Sequence, residues 1–347
     1  MGEIPAVISS DFKTLPPFSH IYVESDLLAV PWWDQTRPLL DRFPKAQVVE
    51  VSHYSEVTQR RSVNWLDQKR SPKLVLALKK SELIYPCTDV APDFGHENFY
   101  YAVPMQNCLY DCEYCYLQGM YTSPHMVYFV NQEQMIDRAA GLARELGSLY
   151  LCIAYDNDIL AVENLLGIGG QWIEGLRECP EVLVELRTKS ANFKPLASLA
   201  PSPNFVLAWT LSPPEVIRRF EARTPPLEAR ISAMEKALLA GWRVRLCLDP
   251  LLPIEGWRNS YAGLISELDR RDLWDRFQDA SYGLFRMPKQ FLRQAKKARP
   301  DSALLHSALA TEERGLYTFV GEEQWELLEY VGEQLLERMG PRKVVQT

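Results

Sequence analysis

The sequence contains no apolar run long enough to cross a membrane. Its best candidate, residues 246–254, is interrupted by Asp249 and falls short of the ~18 residues that a spanning helix needs. Residues 1–5 lack the basic and apolar regions that begin a secretory signal. The chain also contains no internal repeat and no low-complexity tract. These absences predict a cytoplasmic globular protein that makes no membrane contact.

The charge and cysteine content narrow the possible functions. The 347 residues carry a net charge of −7, which argues against a protein that coats nucleic acid by bulk electrostatics, although a local basic groove remains compatible with it. The seven cysteines are an odd number in a long chain without a secretory signal. In a reducing compartment, clustered cysteines are typical of metal ligands or catalytic thiols rather than disulfides.

Hydrophobic periodicity predicts an α/β protein with two parts. Residues 1–92 combine three strands, one helix and a basic loop with Arg60, Arg61, Lys69 and Arg70, whereas strands and helices alternate along residues 93–347. Strands are predicted at residues 20–23, 46–51, 73–78, 98–104, 149–154, 182–186, 205–209 and 243–248, and helices at 36–43, 132–146, 159–176, 214–220, 227–240 and 269–278. Repeated βα units indicate a parallel sheet, as in a full or partial (β/α) barrel with chemistry on the loops after the strands.

The most informative segment is a cluster of three cysteines directly after a predicted strand. Cys108, Cys112 and Cys115 have the spacing Cys-x3-Cys-x2-Cys. Three thiolates on one short loop can hold three irons of a 4Fe–4S cube. The fourth iron then has no protein ligand and can bind an outside chelator, a role that suits the amino and carboxylate groups of S-adenosylmethionine (SAM).

Three other interpretations of these cysteines remain open. A zinc site would need four ligands, and no neighbouring Cys-x2-Cys or His pair completes a set. A ferredoxin-like cluster would take its fourth thiolate from Cys87 or Cys152. The cysteines could also be buried structural thiols.

The cysteine spacing, together with Tyr114 just before the third cysteine, resembles the signature of radical SAM enzymes. Residues 112–118, Cys-Glu-Tyr-Cys-Tyr-Leu-Gln, are similar to the corresponding segment of the spore photoproduct lyase family. The similarity continues at residues 127–131, 158–165, 188–189, 216–221, Thr224, Pro226, Leu227, Arg230, Pro250, 255–257 and Tyr261. It implies a partial (β/α) barrel of radical SAM type over residues 93–347, preceded by a small α/β domain over residues 1–92.

The resemblance implies a lyase that repairs DNA. Members reverse 5-thyminyl-5,6-dihydrothymine, the spore photoproduct, in ultraviolet-damaged DNA with a 4Fe–4S cluster and SAM. A 5′-deoxyadenosyl radical takes a hydrogen from the lesion, the bond between the thymines breaks, and a cysteine thiol returns a hydrogen. The implied partners are damaged DNA and a flavodoxin- or ferredoxin-type electron donor. Two rival functions remain: a family enzyme acting on another nucleobase lesion or a non-DNA substrate, and an iron–sulfur electron-transfer or redox-sensing protein.

The resemblance also implies roles for single residues. Cys108, Cys112 and Cys115 match the cluster ligands. Tyr116 matches a radical-relay tyrosine and Tyr114 a neighbouring active-site tyrosine, with packed aromatic residues as the alternative. Lys189 matches a lysine that meets the SAM carboxylate, with a solvated lysine as the alternative. Thr210 stands where the family has a serine near SAM, and Asp158 matches an aspartate near the cofactor, with a helix N-cap as the alternative.

Of the roles that the resemblance implies, that of the hydrogen-donating thiol is the hardest to assign to a residue of this chain. The family has a cysteine three residues before the aspartate that Asp158 matches, and here that position is Tyr155. Cys152, six residues before Asp158, is the candidate donor, and a buried structural thiol is its alternative. If Cys152 is structural, the substrate or chemistry differs. Asp249 is a second departure, because the family has a small neutral residue there.

A basic stretch follows the barrel pattern. Residues 281–300 contain six Lys and Arg residues and no acid. The predicted DNA-contact residues are Arg286, Lys289, Arg293, Lys296 and Lys297, of which the last four recur at helical spacing on one face. An ordinary solvated helix face is the alternative. Residues 315–319, next to Arg314, could form a hairpin that props open the duplex.

Overall fold

The computed structural model describes residues 18–60, 64–88, 91–311 and 315–347. The strands in these ranges are β1 (His20–Glu24), β2 (Gln47–Val51), β3 (Leu74–Ala77), β4 (Ile84–Pro86), β5 (Phe99–Ala102), β6 (Met105–Gln106), β7 (Asp111–Cys112), β8 (Met126–Phe129), β9 (Leu149–Cys152), β10 (Val182–Thr188), β11 (Phe205–Thr210), β12 (Glu221–Ala222), β13 (Arg243–Leu251), β14 (Asp279–Leu284), β15 (Met287–Pro288), β16 (Leu309–Thr311), β17 (Leu316–Phe319) and β18 (Val344–Gln346).

The helices surround and connect these strands. They are α1 (Trp32–Asp41), α2 (Ser55–Thr58), α3 (Trp65–Arg70), α4 (Leu117–Met120), α5 (Gln132–Leu146), α6 (Ile159–Leu166), α7 (Ile168–Leu176), α8 (Pro214–Phe220), α9 (Leu227–Leu239), α10 (Trp257–Arg270), α11 (Lys289–Ala298) and α12 (Glu322–Met339). Short 3-10 turns lie at Ser25–Leu28, Leu196–Ser198 and Trp274–Arg276.

The larger sheet has the strand order β18-β14-β13-β11-β10-β9-β5-β4. All neighbouring pairs are parallel except β4 with β5, which are antiparallel. Strands β9 and β11 are buried along their whole length, as expected for parallel strands that are covered on both faces. Within the described residues β18 and β4 are the edges of the sheet, so it is an open, partial (β/α) barrel, and the predicted fold class is confirmed.

The smaller sheet has the order β2-β1-β3-β8-β6. Its first four strands are parallel, and β6 is antiparallel to β8. Strand β8 follows the cysteine segment in sequence yet pairs with β3, so the N-terminal sheet takes two strands from beyond residue 92. The domain boundary at residues 92 and 93 therefore stays a prediction, and the chain crosses between the two sheets more than once.

Two of the predicted helices differ from the structure. The helix predicted at residues 159–176 is two helices, α6 and α7, separated by Gly167 in the left-handed region at φ 62°. The helix predicted at 269–278 is wrong: α10 ends at Arg270, Asp272 adopts φ 51°, and only a 3-10 turn precedes β14. Leu268, in α10, and Leu273, after that helix, are both buried but belong to two separate segments.

The C-terminal part adds a small antiparallel sheet of order β15-β17-β16. Residues 315–319 include β17 of this sheet, which pairs with β15 and β16, whereas Arg314 lies outside the described residues. Among the described helices, none has both the length and the apolar character that a bilayer-spanning segment requires.

Candidate active site

The cysteine loop is anchored at both ends. Asn107 adopts φ 66°, and its Nδ2 donates to the carbonyls of Ser123 at 3.0 Å and His125 at 2.8 Å. Further along, β7 pairs with β12, which places Cys112 opposite Glu221. These two attachments hold the loop against the carboxyl edge of the barrel, which is where the predicted chemistry belongs.

The three thiols influence one another. Cys112 is buried, and Cys108 and Cys115 are half-buried. Burial raises the pKa of all three thiols, that of Cys108 to about 12, while the charge of Lys69 lowers the pKa of Cys108 and Cys115. A metal that binds them must therefore displace their protons. In the described ranges, no three Cys, His, Asp or Glu side chains lie close enough together to bind one metal ion. A 4Fe–4S cluster does not need such a site, because each of its cysteine thiolates binds a different iron.

Tyr114 belongs to a buried polar network. Its hydroxyl donates to the carboxylate of Glu221, which also accepts a hydrogen bond from Ser212 Oγ at 2.9 Å and pairs with Arg230. Burial alone would raise the pKa of Glu221, but Arg230 and Lys189 lower it below its usual value. The ammonium of Lys189 lies 5.5 Å from the centre of the Tyr114 ring. Tyr114 thus attaches the cysteine loop to Glu221 and lies beside the predicted SAM lysine.

Asp158 connects three elements at the same edge. Its carboxylate caps α6 by accepting from Ala161 N at 3.1 Å, and it accepts from Thr188 Oγ1 and Lys189 N, both at 2.7 Å. The prediction that Asp158 is a helix N-cap is therefore confirmed for α6. The same carboxylate also sets the position of the backbone at Lys189, and a cofactor role for Asp158 stays a prediction.

Lys189 and Thr210 lie at the carboxyl ends of neighbouring strands. Lys189 directly follows β10, and Thr210 is the last residue of β11. Trp209 Nε1 donates to Ser190 O at 2.9 Å, which ties the two strand ends together. Thr210 is 1% exposed, and its carbonyl accepts from Arg230 Nη1 at 3.2 Å. The structure thus brings both predicted cofactor residues to one edge, close to Tyr114 and Asp158.

Cys152 ends β9 on the inner face of the barrel. Side chains two residues apart on a strand share a face, and the Tyr150 hydroxyl contacts Glu185 Oε2 and Arg245 across the inner face, both at 2.6 Å. Burial, followed by the charge of Glu185, raises the pKa of the Cys152 thiol well above its ordinary value. The Cys152 sulfur therefore keeps its hydrogen at neutral pH.

Tyr116 and Tyr155 meet beside Cys152. The Tyr116 hydroxyl donates to the Tyr155 carbonyl, which links the cysteine loop to the segment after β9. The Tyr155 ring packs against Tyr101, with ring centres 5.9 Å apart, and against Phe99 at 6.2 Å. The residue in the family's donor position is thus an aromatic side chain directed toward β5.

Sequence reasoning missed a charged network inside the barrel. Arg245 pairs with Glu185 and Asp279, and Arg187 lies 3.1 Å from Glu185 and 3.8 Å from Asp249. Asp249, the second departure from the family pattern, is therefore balanced by Arg187. The available signal was the alternation of charged residues within otherwise apolar strands, as in residues 183–187 and 243–246, which indicates a polar inner face.

The basic stretch forms α11, which packs on the cysteine loop. Helix α11 approaches α4 so closely that a Cβ at Gly119 would lie 2.2 Å from the Phe291 carbonyl oxygen. Arg299 pairs with Asp111 and donates to Gln118 Oε1 at 2.7 Å. This sixth cation of the stretch therefore clamps the helix to the loop.

Four of the five predicted DNA-contact residues lie on this helix, and Arg286 precedes it, between β14 and β15. Lys289, Arg293 and Lys297 are exposed, and Arg286 and Lys296 are half-buried. Leu292 and Ala295 form the buried side of α11. None of the five cations forms an ion pair with another described residue, in contrast to Arg299.

The open parallel barrel and the anchored three-cysteine loop at its carboxyl edge define a protein of the radical SAM class. The sequence profile of the spore photoproduct lyase family matches residues 20–313. The chain belongs to the spore photoproduct lyase family.

Individual relatives agree with this assignment. The chain is 25% identical to spore photoproduct lyase of Bacillus subtilis (strain 168) over 285 residues, 80% of each protein. It is 24% identical to that of Geobacillus sp. (strain Y412MC61) over 201 residues, 57% of this chain and 58% of the relative. Among solved structures, a spore photoproduct lyase variant with bound AdoMet (SAM) and dinucleoside spore photoproduct has a TM-score of 0.78 at 22% identity and covers 95% of this chain and 99% of its own. A spore photoproduct lyase complexed with dinucleoside spore photoproduct has a TM-score of 0.78 at 21% identity, covering 96% of this chain and 100% of its own. This likeness shows the fold.

Proposed function

We propose that this protein is a radical SAM lyase that reverses the spore photoproduct in ultraviolet-damaged DNA. The observation that carries the proposal is the family match over residues 20–313, which spans the cysteine loop and all other predicted site residues. The solved relatives that hold AdoMet and a dinucleoside spore photoproduct support the substrate class. The reaction would take place in the cytoplasm, with the electron supplied by a flavodoxin- or ferredoxin-type donor.

The residues present fit a three-thiolate cluster. Cys108, Cys112 and Cys115 would hold three irons, and the buried ammonium of Lys69 beside Cys108 supplies positive charge next to the site. A 4Fe–4S cluster with an open iron supplies, when bound, the electron that cleaves SAM to a 5′-deoxyadenosyl radical. Lys189 would bind the SAM carboxylate as a point charge. Thr210 would add a hydroxyl contact, and Asp158 would hold the Lys189 backbone in place.

The hydrogen returned to the product would come from this chain. Cys152 would give the hydrogen on Sγ to the product radical that is left when the bond between the two bases breaks. Tyr116 would restore a hydrogen to that sulfur from its hydroxyl and would in turn regain one from 5′-deoxyadenosine. The bond of its hydroxyl to the Tyr155 carbonyl orients the phenol. Tyr114, fixed by Glu221, would line the site on the side where the cofactor binds.

Helix α11 would contact the phosphates of the DNA. Its exposed cations share one face and lie beside the cysteine loop, which suits a helix that positions a duplex over the active site. The damaged dinucleotide must leave the base stack to reach the barrel, at a cost of a few kcal/mol. Phosphate contacts at α11 would help to offset that cost.

The α11 assignment predicts a weaker salt dependence of DNA binding in one double variant. Lys289→Gln/Arg293→Gln should lower the slope of log Kd against log salt by ~2, because each lost phosphate contact contributes ~0.9 for duplex DNA. The matched control is Lys45→Gln/Lys236→Gln, which removes two exposed lysines elsewhere. Fluorescence anisotropy across a salt series measures both. Equal slopes in the two double variants would mean that the exposed side of α11 is an ordinary solvated helix face that does not contact DNA.

The proposed reaction is tested with a defined lesion. Anaerobically reconstituted, reduced protein is incubated with SAM and an oligonucleotide that carries one spore photoproduct. We expect recovery of thymine together with 5′-deoxyadenosine. An absence of SAM cleavage would instead favour an electron-transfer or redox-sensing protein.

A second candidate function is supported by Tyr155 and by the Arg187–Asp249 pair. Tyr155 replaces the cysteine that the family has at that position, and Asp249 replaces a small neutral residue. The same scaffold would then act on another nucleobase lesion or on a non-DNA substrate. SAM cleavage without thymine recovery from the defined lesion would favour this candidate.

A further inference from the structure

The N-terminal part of the chain places a buried lysine against the cysteine loop. Lys69, in α3, is 5% exposed, and its Nζ donates to the carbonyl of Cys108 at 2.5 Å. The Lys69 carbonyl accepts a hydrogen bond from Arg223 Nη1 at 2.9 Å, which fixes α3 to the segment after β12. The ammonium is therefore held beside a cluster ligand by contacts on both sides.

This lysine lacks the anionic partner that buried cations normally have. Arg230 pairs with Glu221, and Arg245 pairs with Glu185 and Asp279. Among the described residues, Lys69 forms an ion pair with no carboxylate, although it is only 5% exposed, against 0% and 1% for the two arginines. An unpaired buried charge costs several kcal/mol, and lysines are almost never buried unless paired.

The missing negative charge matches what the three cysteines would carry. As thiolates around a cube they form a concentrated anionic group, and each electron that enters adds one negative charge. Lys69 Nζ donates to the carbonyl of Cys108, so the ammonium lies beside the first of these three cysteines.

We propose that Lys69 is the counter-charge of the cluster: a positioning residue that makes reduction more favourable by neutralising negative charge at the Cys108 side of the loop. The inference rests on the cluster assigned under the proposed function. Helix α3, which connects β2 and β3 of the smaller sheet, positions this cation at the cysteine loop, so the N-terminal part of the chain contributes to the cluster site. The carbonyl contact to Cys108 fixes the loop where the charge acts.

The test is a redox titration of the reconstituted protein without SAM or DNA, followed by electron paramagnetic resonance. Lys69→Met should make cluster reduction at least tenfold less favourable, which is about 59 mV for a one-electron couple. Lys69→Arg keeps the charge and should stay close to wild type. Arg70→Met is the matched control, because Arg70 is the adjacent cation and its side chain is 76% exposed.

The apo-protein provides a second readout. If Lys69 were merely structural, Lys69→Met would lower the unfolding temperature of the apo-protein. Since the proposal makes Lys69 an unpaired charge in the absence of a cluster, the apo variant should unfold at the same or a higher temperature.

Each outcome decides between the alternatives. An unchanged potential in a fully iron-loaded Lys69→Met protein, a destabilised apo variant, or loss of iron from both Lys69 variants would overturn the proposal. Iron loss from Lys69→Met alone would support it. A wild-type protein that assembles no 4Fe–4S cluster would overturn the proposed function and this inference with it, whereas a normal cluster with an unshifted potential would overturn only the inference.

Discussion

Cys112→Ala should leave a folded protein that retains little iron and cleaves no measurable SAM. Cys112 is the central thiol of the loop and lies opposite Glu221 where β7 meets β12. Without it, two thiolates remain for three irons, and the cube loses the ligand that is closest to the Tyr114–Glu221 network. Iron and sulfide analysis, absorption spectroscopy and the yield of 5′-deoxyadenosine measure the effect.

The control for this variant is another buried cysteine. Cys179 is 7% exposed and lies after α7, where its thiol contacts Glu181 at 3.5 Å. Cys179→Ala should keep full iron content, and its cost should be limited to about 1 kcal/mol for the small cavity. Iron loss of equal size in both variants would mean that Cys112 acts through general packing, and the cluster assignment would fail.

The proximity of the three cysteines could be predicted from the sequence because they lie on one short loop. Three thiols within eight residues form one loop in any fold, so the spacing alone predicts their proximity. The alternating strands and helices of the barrel were equally accessible, since buried parallel strands are short apolar runs. The sequence predicts Asp158 both as a helix cap and as a site residue; its contacts confirm the cap, and its cofactor role stays a prediction.

The contacts between distant segments could not be predicted in the same way. Strand β8 joins the N-terminal sheet by pairing with β3, which lies some fifty residues earlier in the chain. The burial of Lys69 depends on α3, Cys108 and Arg223 meeting in three dimensions. Periodicity assigns a face to each residue of a strand or helix, but it does not say which other segment covers that face.

The charged inner face of the barrel shows the same limit. Glu185 and Arg245 stand in apolar strands, where sequence alone does not distinguish a buried ion pair from a charge at a strand edge. Their pairing is meaningful because an uncompensated charge at this depth would be strongly destabilising. The pair also makes the environment of Cys152 polar on one side, although the thiol itself is 1% exposed.

Cys152→Ala should separate SAM cleavage from repair. The variant keeps all three cluster cysteines, so 5′-deoxyadenosine should still form. Thymine recovery should fall at least about tenfold, a barrier difference of about 1.4 kcal/mol, because position 152 no longer offers the product a sulfur-bound hydrogen. Chromatography of the digested oligonucleotide measures thymine and any side products.

The matched control is Cys247→Ala, because Cys247 is fully buried in β13 and lies two residues from Arg245 on the same inner face. Burial raises the pKa of both thiols, so both keep their hydrogen, and only their positions differ. A Cys152→Ala product profile identical to wild type would remove Cys152 as the donor, and a loss of thymine recovery in Cys247→Ala alone would transfer the role to β13. If neither variant changes the profile, the returned hydrogen does not come from these two thiols, and Tyr155, which stands in the family's donor position, becomes the residue to vary.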